Sequence, residues 1–174
     1  WKNKDLQRDI VFHGEEYLKK ALEKNKGVFL LSLHLGTGDL AAAALMMKGY
    51  PISIITKRFK NKLIDDLWFS VRGGQGVGFI EAHGKTTAFD ILKVLKRNQS
   101  VCFVVDQFMG KPYGIETTFF GRKTGTAYGL ALFYLKTRSP IVPIYTYLDE
   151  TDKIHICFDP ALDVEPLISE DKEK

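Results

Sequence analysis

A chain of 174 residues, 45% hydrophobic and 26% charged, has enough apolar material for a sizeable core, which sets intrinsic disorder aside. Its formal net charge of +4 hides an uneven distribution: Lys57, Arg58, Lys60 and Lys62 crowd together, whereas Asp163, Glu165, Glu170, Asp171 and Glu173 dominate the end of the chain. A basic cluster suits an anionic partner such as a phosphate, a membrane surface or an acidic protein, and reads equally as a solvated face.

Four scattered histidines and two cysteines without a CxxC pairing provide no metal-ligand spacing, so neither a metal nor another cofactor is expected. Cys102 and Cys157 lie in apolar runs and read as small buried residues of a reducing compartment. No apolar run approaches the ~20 residues of a membrane helix, and no signal peptide is visible. Because the first residue is Trp1 rather than Met, a further N-terminal, membrane-anchoring segment is expected outside this chain.

The first predicted element is a helix over Asp5 to Glu23, where Leu6, Ile10, Tyr17, Leu18, Ala21 and Leu22 recur at roughly helical spacing, with Gly27 as its stop. Val28 to Leu33 is a continuous apolar run of strand length, the pattern of a strand buried on both faces. A turn at Gly36 and Gly38 leads to a helix over Leu40 to Lys48. The β-branched run Ile52 to Thr56 predicts a strand, Lys60 to Arg72 a helix, and Val77 to Ile80 a short strand after the Gly73-Gly74-Gln75-Gly76 break. That glycine cluster follows a helix and precedes a strand, the reverse of the dinucleotide-binding order, so it reads as a loop. Thr86 to Arg97 predicts a helix and Val101 to Val105 a buried strand.

Asp106 to Lys123, with Gly110, Pro112, Gly114 and Gly121, predicts a long loop, which in a small domain is usually functional. A helix over Thr126 to Lys136, a strand over Ile141 to Tyr147 and an alternating edge strand over Lys153 to Phe158 follow. From Asp159 a frayed tail is expected. The alternation of strand and helix predicts one α/β domain over residues 1–174, with a mostly parallel central sheet and helices on both faces.

The chemistry centres on His34-Leu35-Gly36-Thr37-Gly38-Asp39. His34 ends a buried strand, and sites in open α/β sheets form beyond the carboxyl ends of strands. Two glycines let the chain turn, so that Asp39 can reach one imidazole nitrogen while the other faces substrate. A carboxylate behind an imidazole fixes its tautomer and makes it a general base. No GxSxG frame is present and no cysteine lies nearby, which favours direct attack by an acceptor hydroxyl over a covalent acyl-enzyme. By spacing alone the pair reads equally as a strand-end histidine followed by a helix-capping aspartate.

His34 and Asp39 also form the HxxxxD motif of the glycerolipid acyltransferase superfamily. Within it, Gly27 to Tyr147 resembles the bacterial lipid A biosynthesis (lauroyl/myristoyl) acyltransferases. Lys57-Arg58-Phe59-Lys60-Asn61 followed by Asp65 resembles the Arg-x-Lys-Asn-Pro segment of that family. Val105-Asp106-Gln107 resembles its Asp-Gln strand end, Phe119-Phe120-Gly121-Arg122 followed by Thr126 its Phe-Phe-Gly block, and Ile141-Val142-Pro143 its Val-Pro strand. Thr37-Gly38-Asp39 departs from the Asn-Trp-Glu or Asn-Trp-Asp of many members, and Lys62 stands where Pro is usual.

The resemblance implies a glycerolipid acyltransferase-like fold and transfer of a fatty acyl chain from a thioester of acyl carrier protein or CoA. The acceptor is then a hydroxyl of a lipid or glycolipid such as a lipid A precursor, at the cytoplasmic face of the bacterial inner membrane. His34 becomes the base and Asp39 its orienting carboxylate. Arg58, with Lys57 and Lys60, is expected to hold an anionic part of a substrate, since guanidinium binds phosphate in two places. Asp106 is expected to orient Arg58 or to bind the acceptor, with Gln107 beside it, and reads equally as a plain loop-starting residue. Gly121, Arg122 and Thr126 are expected before a helix whose N–H groups receive an oxyanion or phosphate, or simply as its cap. No nucleic-acid partner is expected. The departures leave open an acceptor among phosphatidylinositol mannosides or aminolipids. A non-catalytic module binding acyl carrier or anionic lipid, and a hydrolase, are the other readings.

Overall fold

The computed structural model describes residues 9–74 and 76–170. It is a mixed α/β fold around a seven-stranded sheet. The strands are β1 (Ile10–His13), β2 (Val28–Ser32), β3 (Ile52–Thr56), β4 (Gly78–Glu81), β5 (Ser100–Val104), β8 (Ile141–Leu148) and β9 (Ile154–Phe158). Between β5 and β8 stand β6 (Gly114–Phe119) and β7 (Arg122–Ala127), which form a separate antiparallel hairpin. The helices whose bounds lie among the described residues are α1 (Glu15–Leu22), α2 (Gly38–Met47), α3 (Lys62–Gly73), α4 (Thr87–Lys96), α5 (Gly129–Thr137) and α6 (Glu165–Glu170).

The sheet order is β1-β9-β8-β2-β5-β3-β4, and every neighbouring pair is parallel except β8 with β9. The mostly parallel sheet is therefore as expected. Central β2 buries Val28, Phe29 and Leu30 completely. Leu30 packs with α1 and α2 (Leu18, Ala42, Leu45), and Phe29 packs on the opposite face with α4 and α5 (Ile91, Leu95, Tyr134). Helices on both faces explain the unbroken apolar run, because a strand side chain pointing either way enters a core.

Four expectations are corrected. Within the described part of the first expected helix, Ile10–His13 is a strand, so His13 is a strand residue, and the helix there spans Glu15–Leu22; residues 5–8 of the expectation lie outside the described residues. Gly14 separates strand from helix at φ 66, where an added Cβ would sit 2.1 Å from the Phe158 carbonyl oxygen. Second, the expected edge strand β9 is interior: β1 pairs in parallel with its outer side, which accounts for its almost continuous burial. Third, the long loop folds into the β6–β7 hairpin, so the next helix starts at Gly129 and Thr126 belongs to β7. Fourth, the expected frayed tail contains α6, where Glu165 takes hydrogen bonds from Tyr134 and Arg138.

Candidate active site

Parallel pairing brings the carboxyl ends of β2, β3, β4 and β5 to one edge of the sheet. In the β2–β5 register the last paired residues are Ser32 and Val104, and the Val105 N–H still bonds the Ser32 carbonyl. Two positions further along each chain stand His34 and Asp106. Asp106 Oδ2 accepts from the His34 backbone N–H at 2.9 Å, and Asp106 Oδ1 meets His34 Nδ1 at 2.7 Å. The contact uses both carboxylate oxygens and thus fixes the backbone and the ring of His34 together. Partial burial alone would raise the Asp106 pKa, but the bonds from the His34 backbone and ring outweigh it and hold the carboxyl below its ordinary value. The imidazole remains about half exposed, so its other nitrogen can meet a substrate.

The loop after His34 is pinned from the neighbouring strand. Buried Thr146 of β8 donates through its hydroxyl to the Leu35 carbonyl and accepts from the Thr37 N–H at 2.8 Å. Gly36 turns at φ 66 directly against β8; a Cβ there would lie 2.3 Å from the Thr146 carbonyl oxygen. Only glycine fits so close an approach with a left-handed backbone. Beneath this loop Leu35, Gly38, Ala41, Ala42, Leu45 and Ile54 help line an apolar cavity of about 30 Å³. That volume admits only a water-sized group.

Asp39 occupies the first turn of α2, and its carboxylate pairs with Arg72 of α3, whose guanidinium also lies 3.8 Å from the centre of the Trp68 ring. The structure therefore joins His34 to Asp106 and Asp39 to Arg72. Arg58 follows β3 and pairs with buried Asp65 at 2.6 Å, while Asp65 also accepts from the Phe59 N–H. The guanidinium stacks over Phe69, 4.2 Å from its centre, leaving it half exposed and rigidly aimed. Lys57 and Lys60 are exposed beside it, and Gln107 is exposed beside Asp106.

Gly121 and Arg122 do not precede a helix. Phe120 and Gly121, at φ 49 and 73, form the two-residue turn of the β6–β7 hairpin, and Arg122 opens β7. Positive φ at both central positions is what a tight hairpin requires. Thr126 bonds Thr117 across the hairpin at 2.7 Å, so no helix N-terminus is presented by these residues. Arg72 and Thr146 were missed in the sequence. Nothing local marks Arg72, but a threonine within the apolar strand Ile141-Val142-Pro143-Ile144-Tyr145-Thr146 signalled a buried hydroxyl in need of partners.

An imidazole oriented by a carboxylate at an open strand end, on the sheet edge where β3 leads into a fixed arginine, can deprotonate a hydroxyl of a substrate that carries an anionic group. The family model described as bacterial lipid A biosynthesis acyltransferase matches residues 1–173. Among curated proteins, the lipid A biosynthesis acyltransferase of Haemophilus influenzae is 24% identical over 173 residues, covering 98% of this chain and 52% of that protein. The chain thus spans about half the length of the curated relative it matches.

Proposed function

The chain belongs to the bacterial lipid A biosynthesis acyltransferase family, and from that premise we propose that it transfers a fatty acyl chain from a thioester to a hydroxyl of a lipid or glycolipid such as a lipid A precursor. The observation that carries this reading is the two-point contact of Asp106 with His34. With Nδ1–H donating to Asp106, Nε2 is left as the acceptor that takes the proton of the attacking hydroxyl. The alkoxide oxygen forms a bond to the thioester carbonyl carbon, the carbon–sulfur bond breaks, and the departing thiolate receives the proton from the imidazolium. Asp106 stabilises that imidazolium without taking its proton. Arg58, held by Asp65 and flanked by Lys57 and Lys60, binds an anionic group of donor or acceptor.

The donor is a thioester of acyl carrier protein or CoA, and the basic segment suits an acidic carrier or a phosphopantetheine phosphate. The fold supports the glycerolipid acyltransferase-like reading, since the HxxxxD segment starts at the carboxyl end of a central parallel strand. The same reading puts the enzyme on the cytoplasmic face of the bacterial inner membrane. Among the described residues no helix is long and apolar enough to cross a membrane.

The test is incubation of the chain with isotopically labelled acyl carrier protein and extracted bacterial lipid, followed by mass analysis of the product. An acylated lipid that disappears with folded His34→Ala supports the assignment. Full activity in His34→Ala, binding of donor without turnover, or release of free fatty acid as the main product would each overturn it.

A further inference from the structure

Helix α3 is built inside out. At ~100° per residue, Leu63, Ile64, Leu67, Trp68 and Val71 share one broad stripe, and Asp65 and Phe69 share the opposite one. An ordinary surface helix buries the apolar stripe. Here the buried residue of the helix is Asp65, while Leu63, Val71 and Leu67 are 81%, 73% and 66% exposed and Ile64 and Trp68 are exposed as well. Phe59 extends the patch, exposed and packed edge-on against Trp68 at 5.4 Å.

The inversion is held in place. Buried Asp65 is anchored by Arg58 and the Phe59 N–H, and Asn61 caps the helix by accepting from the Leu63 and Ile64 N–H groups. A carboxylate with these partners is satisfied inside, so the helix has no reason to roll its apolar stripe inward. A contiguous apolar patch of this kind marks an interaction surface.

The charge around the patch selects the occupant. Between positions 57 and 72 the basic residues are Lys57, Arg58, Lys60, Lys62 and Arg72, against Asp65 and Asp66. Asp65 is neutralised by Arg58. An apolar stripe with a basic rim fits the boundary of a bilayer carrying anionic headgroups, where side chains enter the acyl region and lysines meet phosphates. The patch also adjoins the candidate site, since Arg72 on the same helix holds Asp39, five residues beyond His34.

We propose that α3 is the surface by which this protein seats itself on an anionic bilayer, its Leu63, Leu67 and Val71 stripe inserted and Lys57, Lys60 and Lys62 at the headgroups. The proposal deepens the reading of the acceptor as a membrane lipid and rests on it only in choosing a bilayer as occupant. Seated this way, the His34 edge of the sheet opens beside the headgroup layer, and a lipid hydroxyl reaches the base without leaving the membrane.

The experiment measures binding of the purified chain to vesicles of equal parts phosphatidylglycerol and phosphatidylcholine, by co-sedimentation and tryptophan fluorescence. Trp1→Phe leaves Trp68 as the single tryptophan. Its emission is expected to shift to the blue, and quenching by iodide to fall, when anionic vesicles are added. Each of Leu67→Ser and Leu63→Ser is expected to weaken partition roughly tenfold; both side chains are exposed, so the fold is untouched. Lys57→Gln with Lys60→Gln is expected to remove the preference for phosphatidylglycerol over pure phosphatidylcholine. Undiminished partition in the serine variants, or no shift of Trp68, overturns the proposal. So does sedimentation velocity showing a dimer that Leu67→Ser dissociates, which makes the stripe a contact between copies. None of these readouts depends on acyl transfer, so their failure leaves the catalytic assignment to be judged by its own assay.

Discussion

Asp106→Asn separates the two carboxylates that can serve His34. Asp106 accepts on both oxygens at once, from the His34 backbone N–H at 2.9 Å and from the ring at 2.7 Å. An asparagine offers one acceptor and one donor. If its oxygen meets the ring, its amide faces the backbone N–H, donor against donor. If its amide meets the ring, Nδ1 must become the acceptor, which moves the proton to Nε2 and abolishes the base. The stability cost is one hydrogen bond in a partly exposed pair, about 1 kcal/mol, or about 2–4 °C in melting temperature for a chain of this size. The catalytic cost is far larger, roughly 10²–10⁴-fold in kcat, the usual contribution of a positioned base. Steady-state kinetics with a labelled acyl thioester, beside thermal unfolding, distinguishes the two. Asp39→Asn, which breaks an exposed pair with Arg72, should cost less than 1 kcal/mol of stability and far less kcat than Asp106→Asn. A folded Asp106→Asn protein with unchanged kcat and pH profile, or a large loss confined to Asp39→Asn, refutes the reasoning and returns the carboxylate role to Asp39.

Other changes test the support of the site. Gly36→Ala places a methyl group against the Thr146 carbonyl at a positive φ; it should lower stability by about 1–3 kcal/mol and reduce kcat by displacing His34, both measurable on the purified variant. Asp65→Ala strips the partner from Arg58 and the acceptor from the Phe59 N–H; a loss of about 2–3 kcal/mol in chemical denaturation, with a raised KM for the thioester donor, is expected. Hydrogen bonding from Lys48, then from Tyr50 and Lys19, lowers the Glu15 pKa to about 2 from 4.5. The folded value lies below the unfolded one, so this contribution is complete above pH 4.5 and is lost as pH falls toward 2. Glu15→Gln should therefore flatten the acid limb of the stability curve across that window, as followed by urea unfolding at a series of pH values.

The sequence was most informative where one physical signal dominated. Unbroken apolar runs at Val28 to Leu33 and Val101 to Val105 located two central parallel strands, because burial on both faces leaves no alternation. The three helices after His34 were found within a few residues of their ends. Signals that competed were misread. Ile10-Val11-Phe12 is β-branched and apolar, yet it sat in register with a helical pattern, and only its pairing with β9 decides the matter. In the Asp106 to Lys123 segment, glycine and proline density suggested a loop, while the hairpin was written in the alternation of β-branched residues around Phe120-Gly121. His34 stood out because histidine at a buried strand end is chemically conspicuous. Its partner did not, since Asp106 meets it through strand register across 72 residues of chain, and no local pattern encodes which strand lies beside which. The inverted polarity of α3 was also hidden, because periodicity identifies an apolar stripe without saying which way it faces.

The register between β2 and β5 has a consequence during synthesis. His34 emerges early, whereas Asp106 follows only after β3, α3, β4 and α4 have been made, and the two meet when β5 slots between β2 and β3. Pairing of such distant strands is a slow, late event in folding. A nascent chain that has emerged only as far as α4 thus carries the imidazole without the carboxylate that orients it. The order of the elements along the chain delays the His34–Asp106 contact until the central sheet around it has closed.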